Sequence, residues 1–388
     1  MSVTYNGYDL EAGDVNQPET QGAVLLGRGT YGAPERDVEQ IHVPGRDGDL
    51  LLDNGGFKNM QITYPCSIRE YNPTVSQWLR RVLYGAPGYH RLEDSYHPDE
   101  FRLAEYRGPF EPEVYSERGN DAANVDLVFN CHPQRFLKKG AEQQQFVCGP
   151  EVDNAKRFVV LTGNIKSGYG RTGEILKLKM LNSNTNIQLK SCRYGTSFSG
   201  NWYDISSQVR RTEVDRHLEF TLTLTRNMFL VEFELEGYAY SDSLEISIGG
   251  EFISIASWTT NSYGGKVRRN YDISDWLGRP VITIYGWRDE NSDTLTGVYM
   301  GKSFSINLPS TSFIAAGHAM QIVIDCASLT VQVGGPNGVP FMRDITENLT
   351  TEFPIPDYNT VSSVYGPTSY VTGLDHAIML VQTNEWRI

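Results

Sequence analysis

The sequence predicts a mainly β protein of antiparallel sandwiches with a single α-helix. Three observations carry this. Apolar residues recur at every second position along most of the chain, one stretch alone follows a helical period, and 37 Gly and 18 Pro in 388 residues supply frequent turns without low complexity.

The first clear strand runs from residue 60: Met60, Ile62, Tyr64, Cys66 and Ile68 alternate with Gln61, Thr63 and Ser67. Successive side chains of a strand point to opposite faces, so such a run has one buried and one wet face. Val75, Trp78, Leu79, Val82 and Leu83 then fall at helical spacing, with Asn72 placed to cap, Pro73 in the first turn and Gly85 at the end. The spacing predicts an amphipathic helix over 73–84, packed on a sheet. Residues 89–118 crowd charge and aromatics without sustained alternation and read as an arm or loop. Alternation resumes at Val125, Leu127, Phe129 and Cys131, and 133–157 reads as a junction. Leu218–Leu224, Phe229–Leu235 and Leu244–Ile248 follow, with Glu232 and Glu234 on the expected wet face of theirs. A second junction is expected near 261–265. Val281–Tyr285, Ser303–Leu308, Met320–Cys326 and Leu329–Val333 are the last strands. The expected domains are 1–147, 148–265 and 266–388.

Acidic residues outnumber Lys and Arg by 47 to 34, a net charge of −13. This argues against general nucleic-acid binding, which needs a basic face, and against anionic membrane surfaces. No apolar run is long enough to span a bilayer. The first residues lack a basic region followed by an apolar run, and Cys66, Cys131, Cys148, Cys192 and Cys326 are odd in number and scattered. Reduced, buried cysteines and folding in a cytoplasm are expected.

Chemical motifs are sparse. Gly27-Arg28-Gly29-Thr30-Tyr31-Gly32 fits a dinucleotide-binding pattern, but no helical period follows, so it reads as a glycine-rich loop. His90 and His97 near Glu93, Asp94 and Asp99 lack metal-ligand spacing and read as a solvated acidic loop. Asp47, Asp49, Asp53 and Asn54 lack the EF-hand pattern and read as a hairpin loop. Cys131 and His132 adjoin on a strand, so they point apart and cannot form an attacking pair. No catalytic residue, metal or cofactor is expected. Trp202, Tyr203, Trp258, Tyr263, Tyr271 and Trp276 are candidates for glycan binding, because flat rings stack on the C–H faces of sugars. Ordinary sandwich core is the other reading of the same rings.

Three places together resemble the siphophage distal tail protein family. His42-Val43-Pro44-Gly45-Arg46-Asp47-Gly48-Asp49-Leu50, followed by Asn54–Asn59 and the strand from Met60, is similar to the family's V-x-G-R-D-G-x-L turn and next strand. The lone helix and the strand ending Phe129-Asn130-Cys131-His132-Pro133 match the order of its N-terminal domain. Val281–Gly286, Gly301–Ile306, Ile322–Cys326, Glu352-Phe353-Pro354 and the terminal Glu385-Trp386-Arg387-Ile388 resemble its C-terminal domain. The resemblance covers about 1–147 and 270–388. It implies an N-terminal ring-forming domain, a C-terminal galectin-like sandwich and an inserted β-sandwich similar to carbohydrate-binding modules. It further implies a homohexameric, non-enzymatic hub of the virion tail, assembled in the host cytoplasm. The implied partners are the tail tube protein, the tail-associated tip protein, receptor-binding or baseplate proteins and host cell-wall polysaccharide, with DNA passing through the lumen unbound. A free carbohydrate-binding protein and a cell-wall glycan hydrolase are the rival readings.

Overall fold

A computed structural model describes the chain outside residues 1, 15, 18–19, 21, 30–31, 46, 118–119, 148–150, 153–154, 166, 181–186, 199, 215–216, 238–241, 260–261, 267–276, 289–291, 310–317, 336–341, 357–369 and 388. The protein is mainly β, with one α-helix among the described residues. It divides into two compact units, residues 1–141 joined by Trp386 and Arg387, and residues 142–385.

The first unit contains β1 (Val3–Tyr5), β2 (Tyr8–Asp9), β3 (Ala23–Leu25), β4 (Arg36–Ile41), β5 (Leu50–Phe57), β6 (Met60–Ile68), α1 (Pro73–Tyr84), β7 (His90–Asp94), β8 (Glu100–Tyr106), β9 (Glu113–Glu117) and β10 (Asn120–Leu137). β10 organises it. Residues 123–131 of β10 pair with β6, and residues 129–137 pair with β8, with a register shift between Cys131 and Arg135. Pro133, which has no N–H for the ladder, sits inside that shift; the strand runs on to Leu137, and the boundary between the two units follows at residue 141, within the segment 133–157. Trp386 and Arg387 lie opposite Phe136 and Arg135, adding the C-terminal strand to the same sheet. Residues 89–118, expected to be an arm or loop, form β7, β8 and β9 instead. Arg91 pairs with Glu93 along β7, and Glu100 of β8 pairs with Arg135 and Arg387, so charged side chains interrupt the alternation.

The helix forms as its spacing predicts. The Asn72 side chain accepts a hydrogen bond from the Val75 N–H at 3.0 Å. Val75, Trp78, Leu79, Val82 and Leu83 are buried in one core with Ile62, Tyr64, Leu127 and Phe129 of the sheet. Each such side chain contributes roughly 1.5–3 kcal/mol of burial. Phe129 is the hub of that core, with ring centroids 5.0 Å from Tyr5, 5.3 Å from Tyr106 and 6.0 Å from Tyr64.

In the second unit, a five-stranded sheet (Glu151–Val152, Ala155–Leu161, Leu230–Glu236, Gln188–Gly195, Trp202–Asp204) shares a core with a six-stranded sheet. The latter holds Arg210–Val214, His217–Thr223, Ile175–Met180, Asp242–Ile248, Glu251–Thr259 and Ser262–Lys266. Phe158, Cys192, Val231, Phe233 and Leu235 meet Leu176, Leu178, Leu218, Phe220, Leu244 and Ile246 between the layers. A second pair of sheets, built largely from residues 281–382, carries the strands Val281–Arg288, Ala319–Asp325, Thr330–Gly334 and Leu374–Gln382 in one and Thr294–Tyr299 and Lys302–Asn307 in the other.

These two pairs of sheets meet along a seam. Val159, Phe198, Phe229 and Leu230 pack on Tyr285, Ile378 and Leu380, and the Phe198 and Tyr285 rings stack 4.1 Å apart. The strand Leu230–Glu236 is therefore covered on both faces. The face expected to be wet is not: the Glu232 side chain is fully buried. Neighbour-independent alternation cannot report that a second layer covers a sheet.

Candidate functional site

The feature best suited to a partner is the β4–β5 hairpin. Its register sets Ile41 opposite Leu50, Gln40 opposite Leu51 and Glu39 opposite Leu52. It forms a two-stranded sheet of its own. The turn 42–49 uses Gly45 and Gly48 at φ +82° and +80°, and His42 Nδ1 lies 3.1 Å from an Asp49 oxygen. Arg36 donates to Asp53 at 3.0 Å, and the Asp53 side chain accepts from the Gly55 N–H, so these acids brace the hairpin. Leu50, Leu51 and Leu52 are 43%, 60% and 48% exposed, and Ile41 and Val43 are also open to solvent. Three consecutive leucines project from both faces of a strand. An isolated two-stranded hairpin is marginal in water, and both its edges present unpaired backbone groups.

The aromatic candidates separate. Trp202 is half-buried at the seam, stacked on His376 at 5.1 Å with Trp287 6.1 Å away. Tyr203, its neighbour on the strand, lies on the opposite face, 47% exposed and stacked 5.1 Å from Tyr194. The two rings do not form one platform. Trp258 and Tyr263 are register partners in the six-stranded sheet of the same sandwich. Tyr271 and Trp276 lie outside the described residues.

Trp287, His376 and Glu232 escaped the sequence reading. The Glu232 carboxylate accepts from Arg193 Nε at 2.9 Å and pairs with His376 from the facing sheet. Burial works to raise its pKa, but His376 and Arg193 outweigh it and hold the carboxyl below its ordinary value. No local pattern joins residues 193, 232 and 376, so no sequence signal marks the triad.

Other weighed groups have structural duties. Gly29, at φ +64°, lets the loop backbone pass the Tyr64 ring. Asp94 accepts from the Tyr64 hydroxyl at 2.8 Å and from the N–H groups of Tyr96 and His97, while Glu93 pairs with Arg91 and Lys138. Cys131 is buried in the core and its thiol is pushed up to about 12 by burial. His132 packs its ring against Tyr89 at 4.1 Å. Among the described residues, no group of three His, Cys, Asp or Glu side chains is placed to hold a metal ion, and no helix is long and apolar enough to cross a membrane.

No protein-family model and no curated protein matches the sequence. Among solved structures, the chain is similar to SPP1 Dit, described as a paradigm of the hub adsorption apparatus in phages infecting Gram-positive hosts. That match has 9% identity and a TM-score of 0.37 over 99% of this chain and 98% of that one. It is also similar to a chain of the phage P2 baseplate in its activated conformation with Ca, at 8% identity and a TM-score of 0.30 over 93% and 89% of the two chains. Both scores are too low for either likeness to bear on the role.

Proposed function

We propose that the chain is a structural subunit of a phage tail tip or baseplate, a distal tail hub protein that assembles into a ring of six. The observation that carries this is the β4–β5 hairpin. It bears the turn that resembles the family's V-x-G-R-D-G-x-L element, and it leaves a leucine triplet in water. A free monomer gains nothing from that exposure. A neighbour that covers the leucines and pairs with a hairpin edge gains both apolar burial and backbone hydrogen bonds. A hairpin received by a different patch on the next copy is a heterologous contact, and such contacts close into rings when the rotation allows.

In this role one side of the ring docks the tail tube and the other the tail-associated tip protein, with receptor-binding or baseplate proteins beyond. A net charge of −13 suits a lumen through which DNA slides without binding. The work is done by shape and surface, with no reacting centre. The exposed Tyr203 face beside Tyr194 favours an added glycan-binding role, with host wall polysaccharide as ligand. In that case Tyr203→Ala weakens binding of host wall polysaccharide to the full chain in a calorimetric titration, and equal heats for both proteins remove Tyr203 from the site.

Mass spectrometry of purified virions, with immunogold labelling by antibody to this chain, tests the role. Label at the distal tail end is expected. Absence of the chain from virions contradicts it, and clearing of wall material by the purified chain favours the hydrolase reading.

A further inference from the structure

Among the described residues the chain has two Asn-Gly dipeptides, Asn6-Gly7 and Asn54-Gly55, and the structure holds them differently. Asn6-Gly7 is the turn between β1 and β2, with φ of +51° and +81°. Tyr5 and Tyr8 pair across it, and the Asn6 N–H donates to the Arg91 carbonyl at 2.9 Å. Tyr5 is buried in the core of the first unit, so this turn is fixed by the main sheet. Asn54-Gly55 lies in β5 where the ladder breaks. Asp53 pairs with Val38 and Phe57 with Arg36, so residues 54–56 bulge opposite Asp37 alone. Asn54 and Gly55 are exposed, and nothing lies within 4 Å of the place a Gly55 Cβ would occupy. No hydrogen bond to another described residue holds the Asn54 amide. The Gly55 N–H donates to the Asp53 carboxylate at 2.8 Å, on an exposed surface where water replaces that bond. The hairpin that carries the bulge is a two-stranded sheet of its own, which is marginal in water.

We propose that Asn54 is a modification site, at which the unassembled chain converts its own amide to an acid. The Gly55 nitrogen bonds to Asn54 Cγ and gives its proton to water. The Cγ–Nδ2 bond breaks, and the amide nitrogen takes a proton from water and leaves as ammonia. The result is a cyclic imide. Water then opens the imide at one of its two carbonyls, leaving aspartate or isoaspartate at position 54, with no oxidant or further reactant. Asn is a chemically labile residue, and the ring closes only where its side chain is free to turn onto the next nitrogen and no Cβ stands in the way. The bulge meets both conditions. The Asn6-Gly7 turn has the same two residues but must break its pairing to meet the first. Either product adds a negative charge beside Asp53, and isoaspartate also routes the main chain through an extra carbon, which disturbs the β4–β5 register. Resting on the ring reading above, the conversion ages the free subunit, because Leu50, Leu51 and Leu52 lie just before the bulge on the same strand.

The test uses the full chain. Wild type and Asn54→Gln are held dilute in mildly alkaline buffer, sampled over time and digested. Peptide mapping by mass spectrometry, with the aspartate and isoaspartate forms separated by chromatography, reads both dipeptides. Asn54 is expected to gain the mass of an amide turned acid several-fold faster than Asn6, and to give both products. Asn54→Gln, whose longer side chain closes the ring far more slowly, is expected to stay unconverted at that position while Asn6 behaves as in wild type. Conversion at Asn54 no faster than at Asn6, or aspartate formed without isoaspartate, overturns the proposal. Native mass spectrometry of fresh and aged samples reads the effect on assembly. Aged wild type is expected to give several-fold fewer rings than fresh, and aged Asn54→Gln as many as fresh. Equal ring yields from fresh and aged wild type overturn the ageing role. Fresh wild type that forms no ring contradicts the ring reading alone, and the peptide map still decides the modification.

Discussion

Replacing Glu232 by Gln keeps the shape of the side chain and removes its charge. In the native protein this carboxylate is fully buried between Arg193 of its own sheet and His376 of the facing one. Taking away one partner of a buried ion pair costs about 3–5 kcal/mol. Arg193 is partly exposed and recovers some hydration, so a loss of about 3 kcal/mol is expected. For a unit spanning residues 142–385, this corresponds to a fall in melting temperature of roughly 6–12 °C. The pH dependence has a definite sign. The Glu232 pKa is held below its ordinary 4.5, so its contribution is present above that value and is lost as pH falls through the native pKa. Wild type therefore loses stability more steeply than Glu232→Gln below about pH 4.5, and the two converge in acid. Trp202 and Trp287 flank His376 and report seam opening directly in a fluorescence melt. A variant that melts with wild type at neutral pH, or shares its acid slope, refutes the argument that the triad braces the seam.

Three further outcomes follow from the same reasoning. Leu79→Ala, at a fully buried position of α1, lowers the denaturation free energy of the first unit by about 2–5 kcal/mol in a urea titration. Gly297→Ala places a Cβ 2.3 Å from the ring of Phe304, its cross-strand partner, and is expected to cost about 1–3 kcal/mol in the same assay. The thiols of Cys66, Cys131 and Cys326 are pushed up to about 12 by burial, so they resist alkylation of the native chain near pH 8 and react on denaturation, as read by mass spectrometry.

The parts of the fold that were legible in the sequence are those whose signal is local. The helix at 73–84 carries its period, cap and proline within a dozen residues, and the strand Met60–Ile68 has a core on one face only. What stayed hidden depends on distant neighbours. β7 and β8 carry Arg91, Glu93 and Glu100, which pair along the strand or with Lys138, Arg135 and Arg387, so polarity masked their pattern. Glu232 reads as a wet-face residue until a second sheet covers it. The candidate site divides the same way. The opposed directions of Trp202 and Tyr203 follow from strand geometry alone. The partners Trp287 and His376 lie more than 80 residues on, beyond the reach of any period. In the hairpin, Leu50-Leu51-Leu52 breaks alternation because neither face of β5 meets a core of this chain.

Assembly through the hairpin is the central claim, and the mass of the particle in solution tests it most directly. Native mass spectrometry of the wild-type chain, alone and with tail tube protein, is expected to show a closed ring of six copies. Leu51→Asp with Leu52→Asp, both at exposed positions on opposite faces of β5, leaves the fold intact and gives single chains. A wild-type chain that stays monomeric under both conditions, or a double variant that assembles as wild type does, contradicts the account.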